Sequence, residues 1–286
     1  MARCLVTGHK GYIGSKLFKK LKDLGHDVHG IDIEAKEISE RLDIRWHLFD
    51  HEKQFNHIKF KPEYIFHLAA KPSVQWSVEN PSESLAHNVM GSSRVLEYAN
   101  LVGAKRVIFA SSAAADTPSS PYGAHKKMTE LECHVYSHLY ELDTVSLRYF
   151  NVYSEDQKYG GAYSTVISAW LEKIKNNEPL RLDGDGRQTR DFIHVDDIVA
   201  ANIHCMNHNN NFNGEVYDVG TGNSSSLSHI KQYFENVFDV VWDVQPERVG
   251  DIKHSKADIS KLETLGWTAQ INLKTGLRRC TAHVRN

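Results

Sequence analysis

A glycine-rich turn near the start of the chain constrains the fold more than any other feature. The segment TGHKGYIG places Gly8, Gly11 and Gly14 directly after the short apolar strand RCLV (3–6) and at the start of a helix predicted over 14–25. Glycines at this spacing allow a sharp turn and let a pyrophosphate approach the helix N-terminus, where free N–H groups and the dipole favour negative charge. A glycine-rich turn without a ligand is the alternative interpretation.

The end of the second predicted strand, DVHGID (27–32), supports a dinucleotide site. Asp32 lies eighteen residues after Gly14. A carboxylate at this position hydrogen-bonds the ribose hydroxyls of NAD and repels the 2′-phosphate of NADP. We therefore predict NAD as the cofactor. Further cofactor contacts are expected from Lys10, Tyr12, Ile13 and Ile33.

Asp50 ends a third predicted strand, RWHLFD (45–50). From there its carboxylate could reach the adenine amino group, and His51 would lie beside it in the cofactor site. An ordinary cap of the strand end explains Asp50 equally well.

Short apolar strands and helices alternate along the first half of the chain. Further strands are predicted over 63–70, 106–111 and 143–150, with helices over 82–101 and 122–140. This alternation is typical of a parallel sheet covered on both faces. The later third is more mixed, with helices predicted near 162–175 and 227–238.

We therefore predict an α/β protein in which a Rossmann-type doubly wound parallel sheet carries a smaller mixed α/β lobe. The NAD-binding domain is expected to comprise 1–150 and part of about 185–210. The substrate-binding lobe is expected to comprise about 151–184 and 211–286, so that the two are interleaved.

Composition excludes several other classes. The formal net charge of the 286 residues is −2, so no basic field indicates binding to nucleic acid or to a membrane surface. No apolar run is long enough to span a bilayer, and no signal-peptide pattern is present. The four cysteines are scattered without a CxxC pair, and the histidines show no ligand spacing. We predict a cytoplasmic protein without a metal site.

A second constellation surrounds SPYGAHKK (120–127). Tyr122 and Lys126 share one helix face because they are four residues apart, and Ser111 and Ser112 end the preceding strand at the ligand-binding edge of the sheet. A nearby ammonium and a nicotinamide charge lower the pKa of a phenol, and a serine hydroxyl can share the substrate's proton. We predict Ser112, Tyr122 and Lys126 as catalytic. An ordinary helix N-terminus is the alternative.

The chain resembles the extended short-chain dehydrogenases/reductases, and within them the NAD-dependent nucleotide-sugar epimerases and dehydratases. The resemblance covers nearly the whole length. It is carried by TGHKGYIG, HLAA, SS with YGAHK, RYFNVY, GDGRQTRDFIHVDD, YDVGTG and ERVGDIKHSKADISKLETLGW. The most similar subgroup is the UDP-sugar 4-epimerases of the UDP-glucose (UDP-galactose) or UDP-N-acetylglucosamine type.

The resemblance implies further cofactor contacts. Leu68, Ala69 and Ala70 match the stretch that passes beneath the cofactor, and His87 matches a position where a polar side chain touches it. Phe150 matches a residue beside the nicotinamide. Tyr122 and Lys126 also match cofactor-contacting positions.

The resemblance also implies a substrate site that includes Ser112 and Tyr122. Asn151 matches a substrate-binding asparagine, and Arg190, Arg248 and Asp251 match positions that hold the nucleotide diphosphate. Arginine offers a fork of donors that suits a diphosphate. Surface ion pairs for the two arginines, and a turn role for Asn151, are the alternatives. The remaining expected substrate contacts are Ser164 and Thr165.

The residues directly after Ser112 suggest the reaction. Related dehydratases and decarboxylases place an acidic residue just after the catalytic Ser or Thr, whereas this chain continues with Ala113 and Ala114. The resemblance therefore favours a 4-epimerase that inverts C4 of a UDP-hexose or UDP-N-acetylhexosamine through a transient 4-keto sugar. The alternatives are a 4-keto-sugar reductase, against which Asp32 argues, a dehydratase, and a catalytically weak NAD-binding protein of the same fold.

Three further expectations come from the resemblance. A small residue, Ser255, stands where a bulky one restricts sugars that carry an N-acetyl group. The segment AAADTPSSP (113–121) is shorter than in the family, which predicts a more open sugar pocket or one covered by a neighbouring subunit. A homodimer is expected through a four-helix bundle of 82–101 and 122–140. Apolar residues at helical spacing on the second helix would also fit packing against the sheet.

Overall fold

The alternation of strands and helices in the sequence is present in the folded chain. The computed structural model describes residues 1–35, 60–158, 165–247 and 253–285. The strands, in chain order, are β1 (Arg3–Thr7), β2 (Asp27–Ile31), β3 (Tyr64–His67), β4 (Arg106–Ser112), β5 (Thr144–Tyr149), β6 (Asn151–Tyr153), β7 (Leu180–Asp183), β8 (Thr189–His194), β9 (Val216–Val219), β10 (Ser224–Ser226) and β11 (Trp242–Gln245).

The helices complete the architecture. They are α1 (Tyr12–Asp23), α2 (Val74–Glu79), α3 (Pro81–Leu85), α4 (Gly91–Val102), α5 (Pro121–Leu139), α6 (Val166–Lys175), α7 (Val195–Asn207), α8 (Leu227–Val237), α9 (Ser260–Thr264) and α10 (Leu273–Arg285). A π-helical turn, Ala86–Met90, joins α3 to α4, and a 3-10 turn, Ala113–Ala115, comes directly after β4.

The chain divides into two compact units. The first comprises Met1–Arg148 and Val199–Tyr217, and the second comprises Tyr149–Ile198 and Asp218–Asn286. The first is built on a sheet of order β2-β1-β3-β4-β5-β9, whose last strand begins in this unit. β1 pairs in parallel with both β2 and β3, and β3 pairs in parallel with β4. The strand order therefore reverses beside β1, which is where doubly wound sheets bind ligands. The predicted fold class is confirmed.

The central strands of this sheet are covered on both faces. Val107, Ile108 and Phe109 are consecutive in β4, and each is almost fully buried. Side chains alternate between the two faces of a strand, so burial of consecutive residues requires packing on both sides. Leu96 and Tyr98 of α4 belong to the core cluster on one of these faces.

The second unit contains two small sheets. β8 pairs antiparallel with β10 and parallel with β6, and β11 pairs parallel with β7. Its core is aromatic: Trp170 of α6 and Phe234 of α8 are buried, and their rings meet edge to face at 5.6 Å. The assignment of the cofactor to the first unit and of the substrate to the second stays a prediction.

Some elements differ from the sequence-based expectation. The helix predicted over 82–101 is present over 81–102, but the π-helical turn interrupts its regular spacing. The third predicted strand, 45–50, lies outside the described residues. Within the described ranges, no helix combines the length and the apolar character needed to span a bilayer.

Candidate functional site

The glycine turn after β1 is packed so closely against backbone atoms that it leaves no room for side chains. Gly8 has a φ of +74°, and a Cβ there would lie 2.7 Å from the amide nitrogen of Ala69. A Cβ on Gly14 would lie 2.1 Å from the carbonyl oxygen of Gly8. Larger residues at these two positions would force the turn apart, so the glycines keep β1 and the start of α1 in contact.

The N-terminus of α1 faces this turn. Gly11 is the N-cap and supplies no capping side chain, and the first turn of α1, which contains Tyr12 and Ile13, has no acidic residue. The N-terminal N–H groups and the positive end of the helix dipole are therefore directed at the turn without a competing carboxylate from the helix itself. An anionic group such as a pyrophosphate fits this environment.

Asp32 closes the other side of the turn. Its Oδ2 atom accepts a hydrogen bond from the backbone N–H of Lys10 at 2.9 Å, and its Oδ1 atom accepts one from the N–H of Glu34 at 2.9 Å. Asp32 is half-buried and Ile33 is exposed. The carboxylate thus lies against the glycine turn, as its predicted role on a ribose requires. Asp50 and His51 lie outside the described residues.

The stretch Leu68–Ala70 is fixed by a buried polar chain that was not predicted. The His67 ring contacts Thr7 Oγ1 at 2.7 Å through Nδ1 and Ser92 Oγ at 2.8 Å through Nε2. Thr7 Oγ1 accepts from the N–H of Ala69, and Ser92 Oγ donates to the carbonyl of Asn88. Burial lowers the pKa of His67 to about 3, so the ring is neutral near pH 7, and a proton on Nε2 satisfies every group in this chain.

The π-helical turn contributes a second support for this stretch. Asn88 is buried, and its amide accepts from the backbone N–H of Lys71 and donates to the Lys71 carbonyl, at 2.8 and 3.1 Å. His87 precedes it on the same turn, is almost fully buried, and has its Nε2 atom 3.7 Å from Glu83 Oε1. π-helical turns are rare in proteins, and those that do occur are frequently found at functional sites. The regular apolar spacing of 82–101 gave no signal for this turn.

Tyr122 and Lys126 lie on one face of α5. The helix begins with Ser120 as its N-cap, and Pro121 occupies the first helical position. The backbone N–H of Tyr122 donates to Ser77 Oγ at 3.1 Å, which ties the start of α5 to α2. Lys126 Nζ lies 5.9 Å from the centre of the Tyr122 ring.

Lys126 is buried and hydrogen-bonded. Its Nζ atom donates to the carbonyl oxygen of Ala110 at 2.7 Å and lies 4.7 Å from the centre of the Phe109 ring. Burial lowers the pKa of the Lys126 ammonium to about 7, with the charge of Glu130 acting in the opposite direction. A lysine of this kind changes charge within the physiological range, which is common at functional sites and rare on surfaces.

The two serines at the end of β4 differ in their surroundings. Ser111 is buried, and its hydroxyl donates to Glu130 Oε1 at 2.7 Å. Ser112 is partly exposed, and its hydroxyl oxygen accepts from the N–H of Ala114 at 3.2 Å. The carbonyl of Ala114 lies against Gly123, where a Cβ would approach it to 2.4 Å. The turn that holds Ser112 therefore packs on the residue next to Tyr122.

Two predicted substrate residues of the second unit donate hydrogen bonds to the backbone of β8. Asn151 Nδ2 donates to the backbone carbonyl of Asp191 at 3.0 Å, and Arg190 Nη1 donates to the carbonyl of Thr189 at 2.9 Å. Asp191, which was not predicted, is buried and accepts hydrogen bonds from the backbone N–H groups of Thr221 and Gly222, at 2.9 Å each. It joins β8 to the turn after β9.

The other predicted residues of this unit are of three kinds. Phe150 is buried. Thr165 is the N-cap of α6, where it forms a capping box with Ser168, and its hydroxyl donates to Gln157 Oε1 at 3.0 Å, so its observed contacts are structural. Ser164, Arg248 and Asp251 lie outside the described residues.

The donor set of the first unit fits a dinucleotide. It combines a turn in which a Cβ would collide with backbone, a helix N-terminus without an acidic residue in its first turn, and the carboxylate of Asp32 across from it. The described residues contain no group of three or more His, Cys, Asp or Glu side chains arranged to bind a metal ion.

Comparison with known proteins gives consistent results. Residues 4–220 match the model of the NAD dependent epimerase/dehydratase family. A putative UDP-glucose 4-epimerase of Methanocaldococcus jannaschii is 32% identical, over 99% of this chain and 98% of the relative.

Two solved structures are similar over the full length. A UDP-glucose 4-epimerase with UDP-glucose from Thermotoga maritima gives a TM-score of 0.88 at 30% identity, over 99% of this chain and 98% of the other. A UDP-N-acetylglucosamine 4-epimerase from Methanobrevibacter ruminantium, in complex with UDP-N-acetylmuramic acid, gives a TM-score of 0.85 at 31% identity. The match covers 99% of this chain and 97% of the other. The chain therefore belongs to the NAD-dependent epimerase/dehydratase family, and its cofactor is NAD.

Proposed function

We propose that the protein is a 4-epimerase that inverts C4 of a UDP-linked hexose or N-acetylhexosamine through a transient 4-keto sugar. The observation that carries this proposal is the position of Lys126, which is buried, hydrogen-bonded to the carbonyl of Ala110, and has its Nζ atom 5.9 Å from the centre of the Tyr122 ring, one helical turn away. A charged ammonium beside a phenol favours the phenolate, which can accept a proton. Similarity to epimerases that act on UDP-sugars supports the choice of substrate class.

The proposed steps use the residues in distinct roles. Tyr122 Oη takes the proton of the sugar 4-hydroxyl as the alcohol becomes a ketone, and Lys126 in its charged form stabilises the phenolate. Bound NAD supplies reversible hydride transfer at C4. Ser112 donates a hydrogen bond to the C4 oxygen and orients it. After the sugar has turned its other face, Tyr122 returns the proton to the C4 oxygen, so that the enzyme ends as it began.

The diphosphate is proposed to stay bound while the sugar turns. Arg190 is the described residue assigned to this role, and Arg248 and Asp251 are the assigned residues outside the described ranges. The segment after them runs beside β8: the N–H of Ser255 donates to the carbonyl of Thr189 at 3.1 Å, next to Arg190. This neighbourhood supports the proposal that the small Ser255 side chain leaves room for an N-acetyl group.

Two other reactions of the family are less well supported. A dehydratase or decarboxylase requires an acid just after Ser112, but residues 113–115 are alanine, and the carboxylate of Asp116 accepts a hydrogen bond from Arg148 at 2.6 Å. A reductase that uses NADP would meet the Asp32 carboxylate at the ribose.

A homodimer is proposed from an exposed apolar stripe on α5. Met128, Leu131, Val135 and Leu139 succeed one another at intervals of three or four residues, and each is exposed, with Leu139 exposed by 71%. Leu101 of α4 is also exposed. Packing against the sheet does not account for this stripe, and exposed apolar patches of this kind mark interaction surfaces. Two such helices from each subunit would form a four-helix bundle.

Proton NMR tests the proposed reaction. Purified protein is incubated separately with UDP-glucose and UDP-N-acetylglucosamine, with catalytic NAD and no other oxidant or reductant. We expect the C4-inverted product to grow to a constant ratio, and Tyr122→Phe to lose turnover by roughly 100-fold or more while it retains NAD. Unchanged spectra for both sugars, with NAD bound, would contradict the assignment and favour a catalytically weak NAD-binding protein.

A further inference from the structure

A buried guanidinium joins the helix that carries Tyr122 to the turn after Ser112. Arg148 projects from β5 and is 8% exposed. Its Nε and Nη2 atoms donate to the two carboxylate oxygens of Glu130, at 2.8 and 2.9 Å. This is the paired geometry in which an arginine and a carboxylate bind most strongly. Glu130 is one turn beyond Lys126 on α5.

The third described contact of the guanidinium is with a residue outside α5. Arg148 Nη1 donates to Asp116 Oδ1 at 2.6 Å. Asp116 comes directly after the 3-10 turn, and the next residues, 117–119, are exposed. The segment between Ser112 and Tyr122 is thus attached at Ala114, which packs on Gly123, and at Asp116, which binds Arg148.

The buried charge of Arg148 keeps a carboxylate partner without Asp116. Glu130 is 2% exposed and offsets the buried charge of Arg148, and Lys127 lies 3.3 Å from the same carboxylate. The Asp116 side chain is 66% exposed. Loss of Asp116 therefore leaves no buried charge uncompensated, so its contact with Arg148 is not required for the fold. The contact instead joins the segment after Ser112 to a side chain of β5.

We propose that Arg148 and Asp116 form a latch that holds the short segment 113–120 against α5, and that Arg148 is a positioning residue for the Ser112 hydroxyl. The short segment has few residues with which to order itself. Arg148 supplies a fixed point from the sheet beneath it, while Glu130 holds both Arg148 and the hydroxyl of Ser111. The effect of the latch on turnover rests on the proposed function, whereas its effect on the segment does not.

The test compares Asp116→Ala with the wild type by two readouts. Deuterium exchange of a peptide covering 113–121 reports the order of the segment, and we expect its protected amides to exchange about tenfold faster in the variant. With an active UDP-sugar, we expect kcat to fall about tenfold while KM changes little, because Ser112 acts on the C4 oxygen in the transition state. Asp116→Glu, which keeps the carboxylate, is expected to retain most of the amide protection over 113–121 and most of the wild-type kcat.

Asp23→Ala is the matched control. Asp23 is also an exposed carboxylate with a cationic partner, Lys19 at 2.7 Å, but it lies at the far end of α1. Unchanged exchange over 113–121 in Asp116→Ala overturns the latch, whereas an equal loss of kcat in Asp23→Ala overturns the positioning role. Faster exchange with an unchanged kcat overturns the positioning role. If the wild type converts no UDP-sugar, the proposed function fails, and the exchange comparison still decides the latch.

Discussion

The ammonium nitrogen of Lys126 lies 5.9 Å from the centre of the Tyr122 ring. Its hydrogen bond to the carbonyl of Ala110 holds the lysine inside the protein, so the distance does not depend on a flexible surface side chain. Burial disfavours the charged form of this lysine, so the free energy of unfolding depends on pH.

The stability of the protein is expected to rise with pH through the range set by Lys126. Burial lowers the pKa of this lysine from 10.5 to about 7. Between these values the unfolded chain binds a proton that the folded chain does not, so the free energy of unfolding increases as pH increases. From pH 7 to 9, wild type without cofactor is expected to gain about 2 kcal/mol relative to Lys126→Met, measured by urea unfolding. A constant difference between the two proteins would contradict this account.

His67 is expected to make the stability of the protein depend on pH in the acid range. Burial lowers its pKa from 6.5 to about 3, so below pH 6.5 the unfolded chain gains a proton that the folded chain excludes. Stability is therefore lost as pH falls from 6.5 towards 3. Between pH 7 and pH 5, wild type should lose about 2 kcal/mol more than His67→Gln. Denaturant midpoints at the two pH values check this, and equal losses in both proteins would disprove it.

Asp32 is expected to control the choice of cofactor. Asp32→Ser removes the carboxylate that lies against the glycine turn, so affinity for NAD should fall and discrimination against NADP should disappear. Titration of both cofactors by calorimetry gives the ratio of the two Kd values, which we expect to move towards NADP by about 100-fold. Asp27→Ser, at the other end of β2, is the control for the loss of one negative charge. The same change of ratio in the control would remove the special role of Asp32.

The apolar stripe on α5 is expected to be an interface between copies of this chain. A charge at its centre, in Leu131→Glu, should convert a dimer into a monomer of nearly unchanged thermal stability, as measured by light scattering after size exclusion. Leu24→Glu, at an exposed apolar position just after α1, is the control and should leave the assembly unchanged. A monomeric wild type, or a variant that remains dimeric, would rule out this interface.

Local spacing explains which features the sequence could predict. The glycine turn, Asp32 and the pair Tyr122 and Lys126 each depend on short separations along an element whose geometry is fixed. The strand alternation and the sheet class were predictable for a similar reason, because apolar runs separated by helices leave few topologies.

The unpredicted parts are contacts between residues far apart in sequence. Arg148 binds Glu130 and Asp116, 18 and 32 positions away. His67 and Thr7 are 60 positions apart, and no pattern in either neighbourhood indicates that one ring links β1 and β3 to α4. Side-chain hydrogen bonds of this kind depend on tertiary packing, so periodicity in the sequence carries no signal for them.

Isotopic labelling shows whether the hydride removed from C4 is the one that returns to it. A UDP-sugar that carries deuterium at C4 is incubated with the enzyme, catalytic NAD and ordinary water until epimerisation reaches equilibrium. If the hydride removed from C4 is the one returned to its opposite face, the C4-inverted product retains its deuterium, which NMR and mass spectrometry would show. Inverted product with hydrogen at C4, or release of a stable keto sugar with no inverted product, would contradict the account.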